Sequence, residues 1–163
     1  MASHESDRKP SADHATIRVL VADDDPIFAA TAASCLRRED YVVQHAADGY
    51  EAFEALGSAD FDLAMVDLSM PRIDGFRLIA LIRATPRMRM LPIIVMSSRD
   101  DVAAIDEAYA LGANAFQTKP INWALFPSHM AGVIRTAKLI KDLSGEIERL
   151  RAAAKPRPRK SAA

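Results

Sequence analysis

The chain has 163 residues, 50% of them hydrophobic, and its 22 Asp+Glu nearly cancel 21 Lys+Arg to leave a formal charge of −1. That length fits one globular domain with tails to spare and buries a core without staples, and the single Cys35 forms no internal disulfide, which excludes a disulfide-rich secreted scaffold. The near-neutral balance gives the chain as a whole no electrostatic claim on nucleic acid or membrane, and no window reaches the ~18 consecutive apolar residues of a membrane span.

Residues 1–16, MASHESDRKPSADHAT, contain no apolar core of the signal-peptide kind and no periodicity. They read as a disordered leader, and a cytoplasmic protein is expected. From there short β-branched runs alternate with segments of helical period. Strands are expected at IRVLVA (17–22), YVVQHA (41–46), FDLAMVD (61–67), LPIIVMS (91–97) and ANAFQT (113–118), with helices over 26–38, 48–56, 73–84 and 101–111. Asp25 followed by Pro26 reads as an N-cap with proline at the first helical position, and Gly57 and Gly112 fall where helices are expected to stop. Strands separated by helices pair in parallel through right-handed crossovers, so the fold class is α/β, a doubly wound five-stranded parallel sheet. The run from Leu91 to Met96 is almost continuously apolar, which requires both faces of the sheet to be covered.

A last helical segment starts near Ile121. Within it Val133, Ile140, Ile147 and Ala154 recur every seven residues, and Thr136, Leu143 and Leu150 fall three after the first three of them. This is a short heptad seam, weakened by Thr136 and Gly145. Residues 138–163 carry eight Lys+Arg against three Asp+Glu. A helical or coiled-coil extension is expected over 138–154, pairing two copies through Ile140, Leu143, Ile147 and Leu150, followed by a frayed basic tail over 155–163, where two prolines end any helix. A solvated helix, or one folded back on its own domain, is the alternative.

In an open parallel sheet, chemistry gathers in the crevice at the carboxyl ends of the strands. Here strand one runs into Asp23, Asp24 and Asp25, strand three ends in Asp67, strand four in Ser97 and Ser98, and strand five in Thr118, Lys119 and Pro120. Carboxylates converging on one edge repel one another unless a cation joins them. Hard oxygen ligands with room for water suit Mg²⁺, which is held through one or two carboxylates plus phosphate oxygens. Lys119 brings a fixed positive charge and Ser97 a hydroxyl donor, both suited to a phosphoryl group. Neither GxxxxGK[ST] nor GxGxxG occurs, so the phosphate is not expected on a nucleotide in a glycine-rich cradle.

The stretches RVLVADDDP, FDLAMVDLSMPRIDGF, LPIIVMSS and ANAFQTKPI follow in this order, with 30 residues from Asp67 to Ser97, 52 from Asp67 to Lys119 and 43 from Asp24 to Asp67. Over about Ile17 to Arg135 the chain resembles the receiver domain of two-component response regulators. The four dispersed positions, with VDxxMPxxDG around the third, make the resemblance specific. It implies the flavodoxin-like strand order 2-1-3-4-5 and a receiver over 17–137. It implies Asp67 as the phosphoacceptor, fed by a histidine kinase or histidine phosphotransfer protein. It implies Asp24 as a direct Mg²⁺ ligand, Asp23 as its water-mediated companion and the Ser69 backbone carbonyl as a further ligand. Ser97 matches the hydroxyl that moves to bind the phosphoryl oxygen, Lys119 the lysine that pairs with it, and Lys119-Pro120 the cis peptide of the family. Phe116 matches the aromatic switch, with plain core packing as its alternative. Ser69 and Arg99 fall where hydrolysis of the aspartyl phosphate is tuned, and the first helix near Phe28 to Leu36 is where a partner is read.

Other residues read as structural. Asp25 is a helix cap and not a ligand, Asp74-Gly75 is turn or helix-start chemistry, and Ser98, Asp100 and Asp101 cap the following helix. Cys35 belongs to the core or its boundary, the histidines at 4, 14, 45 and 129 are too scattered for zinc, and Met65, Met70 and Met96 fill gaps. The expected function is phosphorylation-dependent signalling by a phosphoacceptor that is not an enzyme, with an unidentified downstream protein. The 28 residues after Arg135 are too few for a DNA-binding winged helix or a diguanylate cyclase domain. Two alternatives stand beside it: the receiver part of a larger signalling enzyme, a diguanylate cyclase or hybrid kinase, and a Mg²⁺-dependent phosphohydrolase, from whose DxDx[TV] arrangement ADDDP departs.

Overall fold

Aspartate begins four of the helices. In the computed structural model, which describes residues 16–37 and 41–154, the side chains of Asp25, Asp48, Asp74 and Asp101 accept the backbone N–H of Ile27, Glu51, Arg77 and Ala104. They open α1 (Pro26–Leu36), α2 (Gly49–Ser58), α3 (Gly75–Ala84) and α4 (Val102–Leu111). Each carboxylate meets otherwise unpaired N–H groups at the positive end of the helix dipole. Helix α4 stops at Gly112, whose φ of 106° is the left-handed cap that a side chain resists. Gly57, expected to end α2, lies instead inside its last turn, because the Ala59 N–H still bonds the Ala55 carbonyl and the helix closes at Ser58.

The strands β1 (Ile17–Ala22), β2 (Tyr41–Ala46), β3 (Leu63–Asp67), β4 (Ile93–Ser97) and β5 (Ala115–Thr118) form one parallel sheet in the order β2-β1-β3-β4-β5. Strands β3, β4 and β5 each start two residues later than their apolar pattern. Side chains take over the backbone bonds there: Asp62 accepts the Arg18 N–H, and Asn114 accepts the Ile93 N–H directly after Pro92, which has no N–H to give.

Alternation along the buried strands sends side chains to two cores. Leu20, Ala22, Val66, Ile93 and Val95 pack with α2, α3 and α4; Val19, Val21, Met65, Ile94 and Met96 pack with α1 and with Phe126 and Met130 of α5 (Phe126–Ala154). Covering both faces explains why β3 and β4 are buried along their whole length. Cys35 is half-buried and free.

Helix α5 starts at Phe126 and not at Ile121. The Asn122 carbonyl closes a turn with the Leu125 and Phe126 N–H groups, and Trp123 inserts between Phe28 and Phe126 at ring separations of 5.6 and 5.7 Å. The helix then runs unbroken to Ala154. Val133 and Ile134 pack on the core that carries α1, whereas the side chains from Lys138 outward are exposed. Val133 is therefore not available to the expected heptad seam, and the exposed apolar positions of the helix begin at Leu139 and Ile140. The leader before Thr16, Arg38 and the basic tail over 155–163 lie outside the described residues. No helix among the described residues is long and apolar enough to cross a membrane.

Candidate functional site

Parallel strands deliver their last residues to one edge, and here that edge is acidic. Asp23 follows β1 directly, Asp67 ends β3 and Ser97 ends β4; they are 0%, 4% and 1% exposed. Strand β5 leads from beyond β4 into Lys119, whose N–H donates to the Ser97 carbonyl at 2.8 Å and whose bond to Pro120 is cis. Anchored there, the lysine reaches back across the edge. Its Nζ lies 2.6 Å from Asp23 Oδ2, 3.1 Å from Asp67 Oδ1 and 4.2 Å from the centroid of the Phe28 ring.

Both acids are also held by backbone. Asp67 Oδ2 accepts the Ser69 N–H at 2.7 Å, and Asp23 Oδ1 accepts the Asp25 N–H at 2.9 Å. The Asp23 carbonyl accepts from His45 Nε2. Burial pushes the Asp23 carboxyl above the usual carboxylate range, and the bonds from Lys119 and the Asp25 N–H undo only part of that. Burial alone would lower the Lys119 ammonium, but its bonds to Asp23 and Asp67 outweigh it and hold the group above its ordinary value. One lysine therefore compensates two buried acids incompletely, and the edge keeps a surplus of negative charge.

The other residues read from the sequence surround this trio. Asp24 is exposed and makes no hydrogen bond or ion pair among the described residues; Ser69 is exposed. Ser97 Oγ accepts the Arg99 N–H at 3.1 Å, and the Arg99 guanidinium bonds Asp101 and lies over the Phe76 ring. Phe116, three residues before Lys119, is half-buried and packs against the core that carries α2, α3 and α4. Asp25, Asp74 and Asp101 are helix caps, as their sequence context predicts, whereas Ser98 and Asp100, expected to cap the same helix as Asp101, make no capping bond among the described residues, because Asp101 alone sits at the position that reaches the Ala104 N–H.

Residues 19–130 match the response regulator receiver domain family. The chain belongs to that family. It is 32% identical over 127 residues to response regulator MprA of Mycobacterium ulcerans, covering 78% of this chain and 54% of MprA. The chain spans about half the length, or less, of several of the relatives it matches. Among solved structures it is similar to the chemotaxis protein CheY4 of Vibrio cholerae, at 28% identity and a TM-score of 0.70 over 73% of this chain and 99% of that one. It is also similar to the receiver domain of the sensor histidine kinase PA1611 of Pseudomonas aeruginosa, described with a magnesium ion coordinated in the active site cleft, at 25% identity and a TM-score of 0.69 over 74% of this chain and 98% of that one.

The receiver's β3–α3 loop is clamped from two sides. A Cβ on Gly49, at the start of α2, would stand 2.3 Å from the Ile73 carbonyl oxygen, so α2 and the loop touch backbone to side-chain position. Between them Arg72 adopts φ 62°, a left-handed conformation that costs a residue with a Cβ on the order of 1 kcal/mol. Its guanidinium pairs with Asp48, lies 3.6 Å from Glu51 and rests on the Tyr50 ring. Burial would raise the Asp48 carboxyl, but the Glu51 N–H and Arg72 more than offset it and hold it below the usual range. The Arg72 to Asp48 pair, the Phe28 ring under Lys119 and the His45 bond to Asp23 are site features that sequence reasoning missed. Asp48 and Arg72 are 24 positions apart with no motif between them, so only the fold joins them.

Among the described residues no three His, Cys, Asp or Glu side chains form a metal cage by themselves. Mg²⁺ does not need one, since it keeps much of its shell as water and phosphate oxygen and takes one or two carboxylates from protein. Two buried carboxylates sharing one lysine, with Asp24 adjacent in the chain and Ser69 two residues beyond Asp67, are an all-oxygen donor set that fits this ion.

Proposed function

We propose that this receiver works as a phosphorylation-dependent signalling module: Asp67 accepts a phosphoryl group from a histidine kinase or histidine phosphotransfer protein in a Mg²⁺-dependent reaction, and the change alters partner binding. The observation that carries this reading is the Lys119 ammonium held between the buried Asp23 and Asp67 carboxylates. A carboxylate oxygen of Asp67 attacks phosphorus, the bond from phosphorus to the donor imidazole nitrogen breaks, and the electron pair leaves with the imidazole. Lys119 neutralises phosphoryl oxygens that would otherwise repel the attacking carboxylate. Asp23, Asp24, Asp67 and the Ser69 carbonyl would hold Mg²⁺, which when bound adds positive charge beside those oxygens, and the magnesium in the PA1611 receiver's cleft supports that assignment.

Ser97 completes the set. Its oxygen accepts the Arg99 N–H, which leaves its hydroxyl proton to donate to a phosphoryl oxygen. Movement of Ser97 toward that oxygen vacates space on the β4–β5 edge, and Phe116, half-buried on β5, turns inward to fill it. Partner recognition falls to α1, whose outward residues Ile27, Ala30, Thr31 and Ser34 are exposed next to the site. The module is a phosphoacceptor of cytoplasmic signalling and not a turnover enzyme.

Incubation with acetyl phosphate tests this, read by intact mass. One phosphoryl adduct is expected with Mg²⁺ present, none with the cation chelated, and none on Asp67→Asn. The same adduct on Asp67→Asn removes Asp67 from its role.

A further inference from the structure

The outward half of α5 carries an apolar strip that no other element among the described residues covers. Leu139, Ile140, Leu143, Ile147 and Leu150 are 48–63% exposed. At ~3.6 residues per turn they fall, with Ala154, on one strip of the helix roughly 100° wide. Val133 and Ile134, one to two turns earlier, pack on the receiver core, so the strip begins where the domain stops covering the helix. A helix surrounded by water carries polar residues all round, and this one does not.

The residues in and beside the strip define its occupant. Ile140 and Ile147 hold one seam position of the heptad, and Leu143 and Leu150 hold the other. A β-branched residue at the first position with leucine at the second favours two parallel strands. Glu146 flanks the strip on one side and Arg151 on the other, five residues apart. In a parallel twofold pair a residue at the Glu146 position faces the residue five further on in the other helix. Glu146 of each copy then meets Arg151 of the second copy, twice per dimer. Antiparallel packing would instead bring Glu146 toward its own counterpart. Among the described residues Glu146 pairs with Arg149, at 3.1 Å on its own helix surface. Gly145 lies on the side of the helix away from the strip, and a Cβ there would meet nothing within 4 Å, so it does not interrupt the seam.

We propose that the strip over 139–154 docks on the same strip of a second copy of this chain, forming a parallel two-stranded coiled coil with both receivers at one end. The seam is short, and an isolated helix of that length would be marginal in water. Here the nucleation cost is already met inside each receiver, where Phe126 and Met130 are buried at the root of the same helix. The proposal rests on α5 alone and is independent of phosphoryl chemistry at Asp67.

Sedimentation equilibrium on the full chain, from low to several hundred micromolar, tests it with four proteins. Wild type is expected to show a monomer–dimer equilibrium, and Leu143→Glu combined with Ile147→Glu is expected to remain monomeric with an unchanged receiver melting curve. Glu146→Arg is expected to weaken the dimer by about tenfold, since two attractive pairs become two repulsive ones each worth a few-fold. Adding Arg151→Glu to Glu146→Arg should restore an affinity near wild type, because the complementary pair is rebuilt with reversed sign. A wild type that stays monomeric throughout overturns the proposal, as does a dimer indifferent to the Leu143 and Ile147 changes. A double swap no better than the single swap overturns the parallel arrangement.

Discussion

Gly75 lies so close to Asp67 that a Cβ on it would stand 2.3 Å from the Asp67 carbonyl oxygen and 2.8 Å from the Leu68 Cα. Its N–H donates to the Leu68 carbonyl, so the first turn of α3 is pressed against the strand end that carries the acidic residue. The neighbours at risk are backbone and cannot swing aside. Gly75→Ala is therefore expected to cost roughly 1–3 kcal/mol of stability, as overpacking does, and to slow phosphorylation by acetyl phosphate by moving Asp67 relative to Lys119. Gly145→Ala, with open space around the new methyl group, is the matched control and should stabilise the helix by up to about 1 kcal/mol. Urea denaturation of both variants, with intact-mass time courses, checks the pair.

The Asp48 to Arg72 pair gives a signed pH dependence. The folded Asp48 carboxyl sits below its unfolded value of 3.8, so its contribution is present above pH 3.8 and is lost as pH falls through the lowered folded value. The charged groups facing it are Arg72, from the β3–α3 loop, and Glu51, on its own helix. Asp48→Asn keeps a capping oxygen but loses the charge. It should therefore be less stable than wild type at pH 7, and the gap should narrow as pH falls below about 3.8 toward the lowered folded value. Asp48→Ala loses the cap as well and should cost a further ~0.5–2 kcal/mol at neutral pH. Denaturation curves at pH 7 and pH 3 decide it; a gap that widens in acid contradicts the assignment.

Much of the fold was legible because its signals are local. β-branched runs, aspartates before helices and the proline after Asp25 each act within a few residues, and the strand-end rule then gathers Asp23, Asp67, Ser97 and Lys119 from positions up to 96 apart. What was not legible depends on distant partners. Arg83, with burial pressing on its charge, bonds the carbonyls of Arg89, Leu91 and Gly112 and the side chain of Asn114, tying α3 to the ends of β4 and α4, and nothing in its neighbourhood announces this. Arg72 looks like an ordinary turn residue until Asp48 is found beside it. The heptad pattern ran back to Val133 because periodicity cannot tell a seam from a face already claimed by the helix's own domain.

Lys119 and Asp24 should separate cleanly in a Mg²⁺ titration. Lys119→Ala removes the cation between Asp23 and Asp67, so the carboxylates repel each other more and a divalent ion is bound at least as well, while phosphorylation is impaired. Asp24→Asn removes an exposed charge from the proposed ligand set and should weaken Mg²⁺ binding without disturbing the Lys119 contacts. Calorimetric titration with MgCl₂ reads the first effect and acetyl phosphate labelling the second. Unchanged Mg²⁺ affinity in Asp24→Asn would take that residue out of the site.

Ser97 and Phe116 should show whether the phosphoryl group is felt beyond the edge. Ser97→Ala deprives the Arg99 N–H of its acceptor, a loss of about 1 kcal/mol, and removes the hydroxyl proposed to follow the phosphoryl oxygen. Asp67, Lys119 and the proposed metal ligands stay in place, so an adduct should still form, though more slowly. In wild type, phosphorylation with acetyl phosphate and Mg²⁺ is expected to shift the NMR signals of the Phe116 ring as it leaves its half-buried position. In Ser97→Ala the adduct should appear by mass while those signals stay near their unphosphorylated positions. Phe116→Ala is the complementary variant: phosphorylation intact, and stability lowered by less than the ~3–5 kcal/mol of a fully buried phenylalanine, since part of the ring is already in water. A Phe116 response that survives Ser97→Ala unchanged would mean that the hydroxyl does not drive the ring, and that Phe116 serves only to pack the core beside β5.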